Sequence, residues 1–403
     1  MPTYLAPGVY VEEVPPLARP IAGVGTSTAA FIGVMDGIVA AKFNQPQFVT
    51  SFGEFETKLG PDPAPPANDP PEKIRAAIKK HLYKAANRTL SLAVFGFFNN
   101  GGTACYIVPI AANAADLSDA LKALEPIDEV AIIAAPGFTD TPRKNELLAH
   151  AMKLEDRTAV LDGIKDPADL TVTGVNGADI VASVKENTYG ALYFPWLKVN
   201  NPLFKAGSAD PDEQAEFIVQ PPSGHVAGVW ARVDATRGVH KAPANESIFG
   251  VVEVDKRLSK AQQGNLNPKG INVIRPFGGS TLIYGARTLG GDLNGEFRYV
   301  STRRYMNFLK ESIDEGTQFV VFEPNGPPLW QRVVLSVSGF LYNQWRDGAL
   351  FGETPKQAFF VKCDAETNPP SVREAGQLIT EIGVAIVKPA EFVIFRIQQT
   401  SGV

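Results

Sequence analysis

Four histidines and two cysteines are the side chains best suited to chemistry in this sequence. At neutral pH a reaction draws on imidazoles and thiols as bases, nucleophiles or metal ligands. His81, His150, His225 and His240 share no short metal-ligand spacing, and Cys105 and Cys363 form no Cys-x-x-Cys pair. No Gly-x-Ser-x-Gly nucleophile elbow and no phosphate-binding P-loop is present. The glycines at Phe277-Gly278-Gly279 and Leu289-Gly290-Gly291 lack phosphate-loop spacing and read as turns. His225, beside the start of a predicted helix, is expected to be solvated or to cap it, and Asp234 to pair with Arg232 or Arg237. Both cysteines lie in apolar runs and read as buried free thiols. The residues therefore nominate no catalytic group, no cofactor-binding group and no metal ligand.

The elements that would have to position a site are plainer. Ala29–Val34 reads as a buried strand, followed by a Pro-rich loop and a helix carrying Ile74, Ile78, Leu82 and Ala85 on one stripe. Strands at Cys105–Val108, Val130–Ala134 and Thr158–Leu161 then alternate with helices marked by Leu117, Leu121 and Leu124, and by Leu147, Leu148, Ala151 and Leu154. Alternation of this kind predicts a parallel α/β sheet with right-handed crossovers. A further strand is expected within Tyr189–Val199, and Ser223 opens a helix with Val226, Val229, Trp230 and Val233 on one face. Such sheets often carry active sites at strand ends. An α/β hydrolase-like enzyme is therefore the rival reading, although the loops here lack a Gly-rich fingerprint and the acid that would follow it.

The 403 residues suffice for two or three domains, and 44% hydrophobic with 20% charged residues is ordinary for a folded chain. The net charge of -5 argues against a broad nucleic-acid surface. The densest basic run, Thr302-Arg303-Arg304, is expected on an exposed helix turn. No apolar run approaches the roughly 20 residues of a membrane span, and the first residues do not read as a signal peptide. Synthesis in the cytoplasm is the expectation.

The two ends differ from the middle. Val9-Tyr10-Val11-Glu12-Glu13 is strand-like, and Pro15, Pro16, Arg19 and Pro20 belong to a stiff tether after it. A lone strand cannot satisfy its own backbone groups, so it must pair with a sheet of its own body or of a neighbour. Glu391-Phe392-Val393-Ile394-Phe395, set off by Pro389, reads the same way. A second body is expected from Ile271, with a strand-like run at Tyr284–Leu289, a helix carrying Leu329, Val333, Val337 and Leu341, and further strand-like runs at Ala358–Lys362 and Leu378–Val387. The expected organisation is an N-terminal arm and linker (1–25), an α/β middle domain (26–270), a C-terminal α+β core domain (271–388) and a C-terminal arm strand (389–403).

Several segments together resemble contractile tail-sheath proteins. They are Pro7-Gly8-Val9-Tyr10-Val11-Glu12-Glu13, then Ala227-Gly228-Val229-Trp230-Ala231-Arg232-Val233-Asp234, Gly285-Ala286-Arg287-Thr288-Leu289, Tyr299-Val300-Ser301-Thr302-Arg303-Arg304, Val321-Phe322-Glu323-Pro324-Asn325, Asp347-Gly348-Ala349-Leu350-Phe351-Gly352 and Pro389-Ala390-Glu391-Phe392-Val393. The resemblance implies a non-enzymatic subunit without cofactor. Such subunits form stacked hexameric rings around an inner tube, are bounded by baseplate and terminal cap proteins, and shorten to drive the tube through a target envelope. It also implies arms that pair with sheets of neighbouring subunits, and no direct contact with nucleic acid or membrane. Arg332 and Arg346, on the helix after Asn325, are the expected contacts to an acidic tube. A tube or capsid protein is the other structural rival. The chain's size resembles that of sheaths of extracellular contractile injection systems, R-type pyocins or simple myophages.

Overall fold

Along the first strand, β1 (Ala29–Val34), Ala29 and Phe31 enter one apolar cluster while Ala30 and Ile32 enter another. Successive strand residues point to opposite faces, so an unbroken apolar run needs cover on both. The computed structural model, which describes residues 20–114, 116–176 and 187–394, provides that cover. β1 is flanked by β3 (Cys105–Ile110) and β4 (Ile132–Ala134), both parallel to it. β5 (Thr158–Asp162), β6 (Gly190–Phe194) and β11 (Ile271–Phe277) continue the parallel array. Antiparallel strands close both edges: β2 (Gln47–Val49) beside β3, and β12 (Ser280–Ile283) then β9 (Glu246–Ser247) beyond β11. Among the described residues the resulting sheet has nine strands in the order β2-β3-β1-β4-β5-β6-β11-β12-β9. A three-stranded antiparallel sheet, from β7 (Leu197–Asn200), β8 (Phe217–Gln220) and β10 (Val251–Val254), packs into the same cluster as Phe31.

Two helices cover the Phe31 face, α1 (Arg88–Asn99) and α3 (Ser223–Arg237). They approach closely because glycines line the contact. A Cβ on Gly224 would stand 2.4 Å from the Ala93 carbonyl oxygen, and one on Gly228 would stand 2.4 Å from that of Phe97. The four-residue spacing puts both glycines on one helix face. On the opposite face, α2 (Thr141–Leu154) buries Leu147, Leu148 and Ala151. It begins at Asp140, whose carboxylate accepts the Arg143 N–H, and ends at Glu155 in the left-handed region.

Contacts divide the chain into two compact units, Val24–Glu311 with the segment from Val387, and Ser312–Ile386 with the residues up to Gly23. The chain therefore passes between units three times, once within α4 (Val300–Thr317). The second unit is built on α5 (Pro327–Arg346), which buries Leu329, Trp330, Val333, Val337, Phe340 and Leu341. Beside it lies a two-stranded antiparallel sheet of β13 (Phe359–Lys362) and β14 (Glu381–Val384).

Several expectations need correction. Ile271 does not open a second body. Ile271 and Val273 enter one apolar cluster and Ile274 the other, so the strand is buried on both faces and completes the parallel sheet. Tyr284–Leu289 is no strand, because the Asn272 side chain takes both backbone groups of Arg287, at 2.7 and 2.8 Å, in place of a ladder. Tyr189–Val199 holds two strands, β6 and β7, of different sheets. The run Thr302-Arg303-Arg304 is buried, not exposed: Arg303 stacks on the Phe297 and Tyr189 rings at 3.6 and 4.2 Å, and Arg304 on Trp230 at 4.7 Å. Guanidinium groups on aromatic faces lose less on leaving water than their charge suggests.

Candidate assembly surfaces

The nearest approach to a reaction centre is at the C-terminal end of β5. There Asp162 is fully buried, and burial pushes its carboxyl up to about 6. Its oxygens accept the Gly137 N–H at 3.0 Å, the Ser223 N–H at 2.9 Å and the Ser223 hydroxyl at 2.8 Å. The group thus caps α3 through Ser223 and also ties down the Gly137 backbone, with three acceptor positions engaged. Burial brings Lys144 down to about 8, with Asp162 acting against the shift. His225 is neither solvated nor a cap. It is sealed between α1 and α3 against Gly96, its Nδ1 has no hydrogen-bond partner, and burial brings it down to about 4. Asp234 pairs not with Arg232 or Arg237 but with Arg304, at 2.9 and 2.5 Å. Arg232 instead donates to the carbonyls of Asn100 and Ser247. Cys105 and Cys363 are buried and unpaired. Among the described residues no group of three or more His, Cys, Asp or Glu could hold a metal ion, and no helix is long and apolar enough to cross a membrane.

Surfaces fit for assembly are better developed. In the α/β unit the segment from Val387 ends, among the described residues, in Phe392, Val393 and Ile394, which are 70%, 70% and 78% exposed. Immediately before them Glu391 turns inward. Its Oε1 accepts Arg287 Nε at 2.8 Å and Asn267 Nδ2 at 2.7 Å, while its Oε2 accepts Arg287 Nη2 at 2.7 Å and the Tyr299 hydroxyl at 3.0 Å. Burial alone would raise this carboxyl, but the bonds from Arg287 and Asn267 more than offset it and hold it below the ordinary carboxylate range.

In the second unit, neither β13 nor β14 pairs with a third strand among the described residues, the isolated Leu350–Ile386 bridge apart. Phe360 on β13 and Phe351 nearby in sequence are exposed. Phe322 is fully exposed and adopts a φ of 64°. A bulky side chain is rare in that region and carries strain. Its loop is braced by the Glu323–Arg332 ion pair at 3.0 Å and by Asn325, which accepts the Trp330 indole N–H at 2.8 Å and donates to the Gln377 carbonyl at 2.7 Å.

Of the residues singled out from sequence, Val9, Tyr10, Val11, Glu12, Glu13, Pro15, Pro16, Arg19 and Phe395 lie outside the described residues. Pro20 is exposed. Arg332 is partly exposed and engaged with Glu323, and Arg346 is exposed at 3.9 Å from Asp347. Glu391, expected to sit in an arm strand, is anchored within its own unit, and its partners Asn267, Arg287 and Tyr299 were not singled out for that role. The available signal was an arginine and a tyrosine inside short motifs that also carry turn glycines.

Two family models match the chain: the phage tail sheath protein central domain over residues 111–289, and the phage tail sheath C-terminal domain over residues 292–400. The chain is 27% identical over 309 residues to the tail sheath protein of Burkholderia phage BcepMu, which is 72% of this chain and 61% of that protein. It thus spans about three fifths of that relative's length. Among solved structures it is similar to the PVC sheath complex of an extracellular contractile injection system in the contracted state, at 28% identity and a TM-score of 0.74 over 99% of each chain. The anti-feeding prophage helical sheath in its contracted state matches at 27% identity and a TM-score of 0.73, over 99% of this chain and 100% of that one. A sheath tail protein from Desulfitobacterium hafniense shares the fold, with a TM-score of 0.54 at 11% identity over 89% and 94% of the two chains.

Proposed function

We propose, since this chain belongs to the phage tail sheath protein family, that it is a structural subunit of a contractile sheath and not an enzyme. In this reading the subunits polymerise as stacked hexameric rings around an inner tube, on a baseplate and beneath a terminal cap, in a phage-like or extracellular injection particle. They then shorten and drive the tube through a target envelope. The N-terminal arm strand (Val9 to Glu13) and the segment from Phe392 each add to a sheet of a neighbouring subunit. The observation that carries this reading is the C-terminal segment. It is fastened by Glu391 and then presents Phe392, Val393 and Ile394 to water, an arrangement that leaves three large apolar side chains exposed among the described residues. β13–β14 offers a sheet edge to which strands can be added by backbone hydrogen bonds. Strand addition holds subunits together while bodies rotate and slide, and the free energy released on contraction is that of larger body-to-body contacts.

Deleting residues 2–14 tests the reading. The truncated chain is expected to remain folded and soluble but to form no cylinders in negative-stain micrographs; cylinders of ordinary length would refute arm exchange. Arg332 and Arg346 are proposed as contacts to an acidic tube. Reversing both charges is expected to reduce tube retention, and retention by the unsubstituted sheath should fall as salt rises. Retention unchanged by the reversal removes them.

A further inference from the structure

Glu391 and its partners have the geometry of a receptor and its ligand. Arg287 is 3% exposed and presents its Nε and Nη2 to the two carboxylate oxygens in parallel, the most directional pairing available to arginine. Each oxygen accepts one further donor, so four donors converge on one carboxylate. They come from three places in the chain: Asn267 after the helix Lys260–Leu266, Arg287 after β12, and Tyr299 before α4. Asp292 takes only Nη1 of Arg287, and buried N–H donors left without an acceptor are costly, so Nε and Nη2 call for a second carboxylate. The segment around it is otherwise superficial: Lys388, Ala390 and the three residues after Glu391 are all exposed. A side chain 20% exposed and held by four donors, between exposed Ala390 and exposed Phe392, is the pattern of a peg, not of a packed strand.

The other end carries a counterpart. Thr26 lies just inside the α/β unit, which begins at Val24. Its hydroxyl donates to Asp234 Oδ2 at 2.7 Å, and its carbonyl accepts Arg304 Nη2 at 2.8 Å. Asp234 and Arg304 form a buried pair with side chains 5% and 3% exposed. Each outgoing segment is therefore tied to the same unit at an arginine–carboxylate pair.

We infer that the Arg287–Asn267–Tyr299 pocket is a carboxylate receptor for Glu391 of the chain's own C-terminal segment, and that with the Arg304–Asp234 tie at Thr26 it sets the points where pull on the two segments enters the α/β unit. The transmission of pull rests on the sheath reading; the receptor does not, and dispersed protein suffices to test it. A spin label on Ala390→Cys reports release of the segment, the two native thiols being buried. In Glu391→Gln the fraction of mobile label should rise by about tenfold or more, as loss of a charge-assisted bidentate pair implies. Arg287→Lys, which keeps the charge and loses the fork, should do the same. Asp292→Asn removes the other carboxylate on Arg287, at 2.9 Å, and should leave the spectrum unchanged. A Glu391→Gln spectrum matching the unsubstituted chain overturns the receptor, as does equal release in Asp292→Asn. Failure of the unsubstituted protein to form cylinders defeats the sheath reading while the spectra still decide the receptor. Where cylinders form, Glu391→Gln should widen the spread of ring spacings after contraction, and an unchanged spread overturns the transmission of load through the peg.

Discussion

His225 shows what burial does to one residue. Sealed between two helices with Nδ1 unpartnered, it is neutral down to about pH 4. His150 is also brought down to about 4, by burial and then by the neighbouring Arg157. The unfolded chain binds these protons near pH 6.5, so the stability they confer is complete above that value and is lost as pH falls toward 4. Each accounts for on the order of 3 kcal/mol at the acid limit. Asp162 opposes them. Its raised carboxyl takes up a proton in the folded state as pH falls through about 6. Replacing His225 by Leu should therefore make the fall in Tm between pH 6.5 and 4.5 shallower than in the unsubstituted protein. An equal fall would show that the ring is hydrated or paired in solution. None of this was legible in the sequence, where His225 is only a polar residue near a helix start. Its burial follows from Gly96 on a helix more than a hundred residues earlier.

At the scale of elements, two helical glycines with the same local sequence preference have opposite roles. Gly228 lies in the contact of α1 with α3, where an added Cβ would press on the Phe97 carbonyl. Gly339 is an exposed position on α5, where a Cβ meets nothing within 4 Å. Gly228→Ala should destabilise by about 1–3 kcal/mol through overpacking, and Gly339→Ala should stabilise by roughly 0.5–1 kcal/mol through helix propensity. Denaturant midpoints of the two variants should move in opposite directions. Movement in the same direction would place the cause in propensity alone. The strands β1, β3, β4 and β5 and the helices α2, α3 and α5 were readable because each carries its own pattern of apolar residues. The boundary near Ile271 was misread because sheet membership depends on a partner strand distant in sequence, and Tyr284–Leu289 because one asparagine side chain replaces a ladder. The anchor of Glu391 joins it to residues 92 to 124 positions away, and no local pattern announces it.

For the whole molecule, the tether before the α/β unit should behave as a strap of limited reach. Inserting three or four flexible residues between Arg19 and Gly23 adds about 10 Å or more of slack. Cylinders should still assemble, since the arm can still pair, but are expected to remain long after an acid or denaturant trigger. Shortening as fast and as full as that of the unsubstituted sheath would show the tether to be passive. Phe322 supplies a second test at this scale. Phe322→Gly relieves a left-handed residue and should raise the Tm of the dispersed protein slightly, by an amount equivalent to about 1 kcal/mol at most. A lowered Tm would mean that the ring packs in solution.

The threefold passage of the chain between its units also governs when each unit can be completed on the ribosome. Ile21 packs so closely on Gly316 that a Cβ there would lie 2.5 Å from it, so the earliest described residues belong with a stretch that is made much later. At about 5–20 residues per second, the wait between the two is on the order of fifteen seconds to a minute. The α/β unit can form most of its sheet during that interval, while the unit bearing β13 and β14 cannot close until the chain has been made as far as Val384. If β13 and β14 form the strand acceptor proposed above, nascent chains still short of Val384 lack it, and polymerisation should be postponed until that strand has been made.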